Sequence, residues 1–161
     1  MNIKKKIIFG LIAVGAMGLF LIARTSRTNL DNDPAYKPMV GKILKTKKDL
    51  VVINFKGSKK TIALAIPGIS GVPELKDIPE KLPFDYYGHD VYGVFPAGGT
   101  FQISHIELAK SFEFSFVDFY ATVTSEGKFK DKWIDVGMMT NQNTTIPTFD
   151  TEFVEEITPA K

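Results

Sequence analysis

The stretch VVINFKGSKKTIALAI, residues 51–66, alternates with period two on both sides of a polar turn. Val51, Ile53 and Phe55 point one way, and Ile62, Leu64 and Ile66 repeat the arrangement after Lys56, Gly57, Ser58 and Lys59. That period belongs to strands, and the turn residues between them mark a hairpin. Ile43 and Leu44 precede another turn at Thr46 to Asp49, so Val40 to Ile66 is expected to form a three-stranded meander. A unit of this size cannot bury its apolar face alone, so later strands must close over it.

Working toward the C-terminus, Pro67 to Pro83 holds four prolines and two glycines among scattered Ile, Val and Leu. That composition forbids a long regular element and predicts an ordered excursion, of a length that is often functional. Strand signals resume at Val91–Phe95, pass a Pro96–Gly99 turn, and continue through Thr100–Leu108, Phe112–Thr124 and Lys132–Met139. Within Phe112–Thr124 the apolar phase changes: Phe112, Phe114 and Phe116 share one face, whereas Val117, Phe119, Ala121 and Val123 share the other. A β-bulge in this strand reconciles the two sets, and closing a small barrel commonly needs such a bend. The alternative is that one phenylalanine set is an exposed contact patch. About eight strands without an amphipathic helix predict an all-β domain, a small partly open β-barrel or sandwich of SH3-like or OB-like type, after one N-terminal transmembrane helix.

Working toward the N-terminus, Ile7 to Ala23 is an unbroken run of 17 apolar or small residues behind Lys4, Lys5 and Lys6. The length is at the lower edge of a membrane-spanning helix, and the lysines keep the N-terminus on the cytoplasmic side. The expectation is a signal anchor over 1–23, a solvated tether over 24–37 and an extracytoplasmic β domain over 38–161, with the membrane held through residues 7–23. A cleaved signal peptide ending near Ala23 is the competing reading, and it places the domain in the same compartment. Gly10, Gly15 and Gly18 form no small-xxx-small pair, so dimerisation of this helix has little support.

The chain has no cysteine, which excludes disulfides, thiolate metal sites and a cysteine nucleophile. Thirteen Phe, five Tyr and one Trp supply enough large apolar side chains for a core without staples. From Asp31 onward acidic residues outnumber basic ones by three, a balance that excludes nucleic acid as the natural partner. Lysines 42, 45, 47, 48, 56, 59 and 60 cluster on the meander, and Lys128, Lys130 and Lys132 alternate later. They keep edges and turns soluble, or else face anionic lipid or an acidic partner. Asp150 to Glu156 is acidic with Phe149, Phe153 and Val154 interleaved, which suits a final docked strand or a partner-binding extension.

No catalytic residue is assigned, and no cofactor is implied. Gly68-Ile-Ser70-Gly71 lacks the spacing of a nucleophile elbow. Asp85 with Asp90, and Asp118 with Asp135, are carboxylate pairs whose separation the sequence leaves open. His105 and Glu107 project onto one strand face and would complete a three-ligand metal site if His89 lay beside them. Tyr86, Tyr87, Tyr92 and Trp133 would bind glycan or a small ligand if they shared a groove. Elimination leaves a non-enzymatic envelope module that binds another envelope protein, as an assembly component, inhibitor or immunity factor, with Phe112, Phe114 and Phe116 as its contact face. The alternatives are a metal-dependent envelope hydrolase and a glycan-binding or small-ligand protein.

Overall fold

The computed structural model describes residues 26–55, 61–111, 114–142 and 144–158. The apolar run Ile7–Ala23, the turn carrying Lys56, Lys59 and Lys60, and Phe112 lie outside the described residues. The strands are β1 (Ser26–Asn29), β2 (Ile43–Thr46), β3 (Leu50–Phe55), β4 (Ile62–Ala65), β5 (Phe84–Tyr86) and β6 (His89–Phe95), then β7 (Thr100–Lys110), β8 (Ser115–Val123), β9 (Trp133–Asp135), β10 (Thr140–Asn141), β11 (Thr148–Phe149) and β12 (Val154–Ile157). Among the described residues three short 3-10 helices, Lys37–Met39, Leu75–Asp77 and Gly137–Met139, complete the regular elements. Among the described residues no helix is long and apolar enough to cross a membrane.

The fold is all-β, and one ten-stranded sheet dominates it, running β12-β2-β7-β8-β9-β4-β3-β6-β5 with β1 added on β7. The sheet curls into a half-barrel around one core, in which Leu44, Leu64, Phe95, Phe101, Phe119 and Ile134 come from six different strands. This is a partly open barrel rather than a sandwich, and its path has more strands than the five of an OB-type barrel. The two halves of the sheet meet at a short parallel seam, Ile62 opposite Ile134 and Ala63 opposite Asp135.

The meander is half correct. β3 and β4 form the expected hairpin, but β2 leaves it to pair with β7 and β12. The apolar sets of the hairpin also divide between faces. Val52 and Leu64, paired in register, face the half-barrel core, whereas Val51 and Ile53 face the other way with Ala63 and Ala65. Alternation marks one face of a half-buried strand, and here both faces are buried. The Pro67–Pro83 excursion supplies the second cover, laying Val72 and Ile78 on this back face.

The Pro96–Gly99 turn closes no hairpin. β6 and β7 diverge there into the two halves of the sheet, with Phe95 and Phe101 meeting inside at 6.4 Å. Thr46 fastens the corner by donating its hydroxyl to the Pro96 carbonyl (2.8 Å) and its backbone N–H to Gly99 (2.9 Å).

The tether reading is corrected by the same sheet. Ser26–Asn29 pairs with Glu107–Lys110, Leu30 is buried in the core, and Asp31 accepts the N–H of Ile106 at 2.7 Å. Polar composition there matches an edge strand whose side chains face water as well as it matches a linker. At the other end the acidic tail is a docked strand. Lys42, Lys45 and Lys48 pair with Glu156, Glu155 and Glu152 across β2–β12, which engages three of the clustered lysines.

Candidate functional site

The outer face of β7–β9 carries a connected row of polar and aromatic side chains, and a single bulge puts it there. Phe101 and Ile103 point into the core. Strict alternation from Ile103 would send His105 and Glu107 inward. The β7–β8 register slips between Ile103 and His105, leaving Ser104 as the extra residue. After the slip Ile106 enters the core, and His105 and Glu107 emerge on the outer face. The bulge therefore lies in β7, not in the phenylalanine-rich strand where it was expected. β8 itself runs in one phase, with Val117, Phe119, Ala121 and Val123 inward and Phe116, Asp118 and Tyr120 outward.

Arg27 of β1 closes this row. Its Nη1 donates to Glu107 Oε1, to the Tyr120 hydroxyl at 3.0 Å and to Asp118 Oδ2 at 3.2 Å. The Tyr120 hydroxyl in turn donates to Glu107 Oε1 at 2.9 Å. Burial opposes the charge of Arg27, but its hydrogen bonds to Tyr120 and Glu107 outweigh that and strengthen its hold on the proton. Burial pushes the Tyr120 hydroxyl up, and Asp118 and Glu107 add to the effect. Asp118 is raised by burial, with Arg27 pulling in the opposite sense. The Arg27 side chain keeps 51% of its surface exposed, so solvent screens these pairs.

His105 lies between two carboxylates, with Nδ1 2.9 Å from Asp31 Oδ2 and Nε2 3.7 Å from Glu107 Oε2. Asp31 is also buried against its charge, yet its hydrogen bonds from His105 and the Ile106 N–H hold it below the usual carboxylate range. The His105 ring stacks on Tyr120 at 5.8 Å, and Tyr120 stacks on Trp133 at 4.3 Å with planes 11° apart. Trp133 Nε1–H donates to Ser104 Oγ at 3.2 Å, and Ser104 Oγ donates to the Tyr120 carbonyl at 3.3 Å. Trp133 itself stays 45% exposed.

Beside this row, at the parallel seam and opposite Tyr120, Asp135 accepts the Gly137 N–H at 2.8 Å, and burial pushes its carboxyl up to about 6. A cavity of about 230 Å³ reaches both Asp118 and Asp135 and is otherwise walled by Phe55, Ala63, Phe116 and Met138. The sequence-level carboxylate pair Asp118/Asp135 is thus brought to one place.

The remaining candidates are distributed differently. His89 is on β6 opposite Phe55, with its ring edge-on to Phe55 at 5.0 Å and its Nε2 close against Gly71. Five strand steps along the sheet separate β6 from β7, so His89 does not join His105 and Glu107. Among the described residues no group of three His, Asp or Glu has a metal-holding arrangement. Tyr86 and Tyr87 meet edge to face at 4.8 Å in the β5–β6 turn, where Tyr87 has a φ of 47°. Tyr92 and Trp133 instead line one open cavity of about 520 Å³ with Asn54, Ile62, Lys128 and Lys132. Phe114 and Phe116 stack at 5.4 Å on the surface at the start of β8.

Sequence reasoning missed Arg27, Asp31 and Tyr120. A signal existed for Tyr120, because Asp118 and Tyr120 alternate with Val117, Phe119 and Ala121, which marks a second, polar face. None existed for Arg27 or Asp31, which reach the row only through pairing between residues about 80 positions apart in sequence. No protein-family model, no curated protein and no solved structure matches this chain.

Proposed function

We propose that this chain is a membrane-anchored β domain on the outer side of a cytoplasmic membrane, and that it binds another envelope protein through the outer face of β7–β9. The anchor reading is supported by the apolar run Ile7–Ala23 behind three lysines, with the N-terminus inside. The binding reading is carried by one observation: the exposed Trp133, laid flat on Tyr120, which in turn stacks on His105, beside the half-exposed Arg27. Trp, Tyr and Arg are the residue types that dominate binding energy at protein interfaces. Stacking and hydrogen bonds hold these side chains before any partner arrives, which reduces the ordering cost of association.

Two features favour a protein surface over a substrate. The row lies on the convex side of the curled sheet, whereas small molecules are taken up by concave sites. Its polar atoms are spent on one another. Ser104 Oγ is held by Trp133 and by the Tyr120 carbonyl, and His105 faces carboxylates rather than a hydroxyl it might activate.

The test is purification of tagged full-length protein from its native membrane in mild detergent, beside Trp133→Ala and Tyr87→Ala. The expected result is a stoichiometric partner that Tyr87→Ala retains and Trp133→Ala loses. A partner held equally by Trp133→Ala would move the interface elsewhere, and no partner in any preparation would overturn the reading.

A second reading, glycan or small-ligand binding, is favoured by the 520 Å³ cavity shared by Tyr92, Trp133, Lys128 and Lys132. It requires a change in the fluorescence of Trp133 on titration with cell-wall fragments, and an unchanged signal removes it. Trp133 is the only tryptophan, so the signal has one source.

A further inference from the structure

The chain enters the sheet at the end that exposes an aromatic pair. Ser26 stands opposite Lys110, and Lys110 stands opposite Ser115, so β1 begins two strands across from the start of β8. Phe114 and Phe116 flank Ser115, expose 52% and 38% of their surfaces, and stack on each other at 5.4 Å. The loop bearing the exposed Ile146 is tied toward the same end, because Gln142 Nε2 donates to the Val117 carbonyl at 3.0 Å. Lys110, also exposed, adds a positive charge beside them.

Chain length then limits where this end can be. The apolar run stops at Ala23, and only Arg24 and Thr25 separate it from β1. Three residue steps reach at most about 10 Å, and each strand crossing adds roughly 5 Å. A domain held by that run therefore cannot lift Phe114 and Phe116 far from the lipid. In the headgroup region the two rings would leave water, and a neighbouring lysine would meet anionic lipid.

We propose that the Phe114–Phe116 end of the β7–β8 hairpin docks into the headgroup layer of the membrane that carries the chain. The inference rests on the anchor reading given above and deepens it. It also leaves the other surface free. Trp133 stands opposite Thr122, six residues along β8 from Phe116 or roughly 20 Å away, so lipid and a protein partner do not compete.

The absence of native cysteine allows a single label to be placed at will. Full-length Ser115→Cys and Tyr87→Cys would each carry an environment-sensitive fluorophore and be reconstituted in vesicles of phosphatidylcholine and phosphatidylglycerol, with and without brominated acyl chains. The expected result is that both proteins float with the vesicles, that the label at 115 is quenched by bromine several-fold more than the label at 87, and that Phe114→Ser with Phe116→Ser abolishes the difference without abolishing flotation. Flotation with equal quenching at both sites would overturn the docking and leave the anchor standing. A label at 115 shielded from both brominated lipid and aqueous iodide would assign this end to a protein or a second copy, and would overturn it too. Failure to float would overturn the anchor and the docking together.

Discussion

Tyr120 contacts two rings and three charged groups: Trp133 stacks on it at 4.3 Å and His105 at 5.8 Å, while the Tyr120 hydroxyl accepts from Arg27, donates to Glu107 and lies 3.4 Å from Asp118. One side chain thus joins the aromatic stack to the ionic network, and β1, β7, β8 and β9 are cross-linked through it. Removing the hydroxyl alone separates these roles. Tyr120→Phe is expected to keep the stack and lose about 1 kcal/mol of stability. Arg27→Ala, which leaves Glu107 and Asp118 without their cation, is expected to cost about 1 kcal/mol, a loss that shrinks in high salt because Arg27 is half exposed. Urea denaturation of the full chain in detergent at two salt concentrations measures both.

The bulge makes a sharper claim. Deleting Ser104 removes the extra residue and leaves plain alternation, with Ile103 and Ile106 inward and His105 and Glu107 outward as before. The deletion is therefore expected to keep cooperative unfolding and to cost about 1–3 kcal/mol, through the lost Ser104 bonds to Trp133 and the Tyr120 carbonyl and the lost bend of the strand. Ser104→Ala, which keeps the residue count, is expected to cost about 1 kcal/mol. Loss of cooperative thermal unfolding in the deletion would show that the bend made by the extra residue, and not the alternation, holds this part of the sheet.

Burial on both faces of the β3–β4 hairpin is testable by two core truncations. Leu64→Ala opens the half-barrel core and Ile53→Ala opens the back layer under the Pro67–Pro83 excursion. Each is expected to cost about 2–5 kcal/mol. A one-faced meander would make one of them nearly neutral, so the comparison by chemical denaturation decides between the two architectures.

The pH dependence has a definite sign. Burial raises the Asp135 carboxyl to about 6, above its unfolded value, so its protonated form favours the fold at low pH and that contribution is lost as pH rises through about 6. Asp31 works in the opposite sense. It is held below its ordinary range, so its contribution is present above the unfolded value and lost as pH falls through the folded one. Asp135→Asn keeps an acceptor for the Gly137 N–H and removes the charge. It is expected to be more stable than the parent above pH 6 by about 1–3 kcal/mol, and close to equal at about pH 4. A constant difference across this range would assign the effect to packing.

Much of the β architecture is legible residue by residue. Val51–Phe55 and Ile62–Ala65 show their hairpin by alternation, Pro67–Pro83 shows an ordered excursion by its prolines, and Val154–Ile157 shows a last strand by its interleaved apolar residues. The site was legible only in parts. His105 and Glu107 were assigned to one face, and Trp133 was singled out as an aromatic, but their neighbours were not. The phase break that places them stands in the sequence, where Ile103 and Ile106 are three apart instead of two. The longer apolar phase change in Phe112–Thr124 is the stronger local signal and masks it.

By itself the sequence determined the all-β class, the absence of cysteine chemistry and the strand-forming stretches, because each follows from residue type and local period. Tertiary structure alone decided that β2 leaves β3 for β7, that Ser26–Asn29 is a strand, and that Arg27, Asp31, Asp118, Tyr120 and Trp133 share one surface. Strand pairing depends on which partner buries the most surface in register, and that choice involves residues far apart in the chain. Local period cannot encode it.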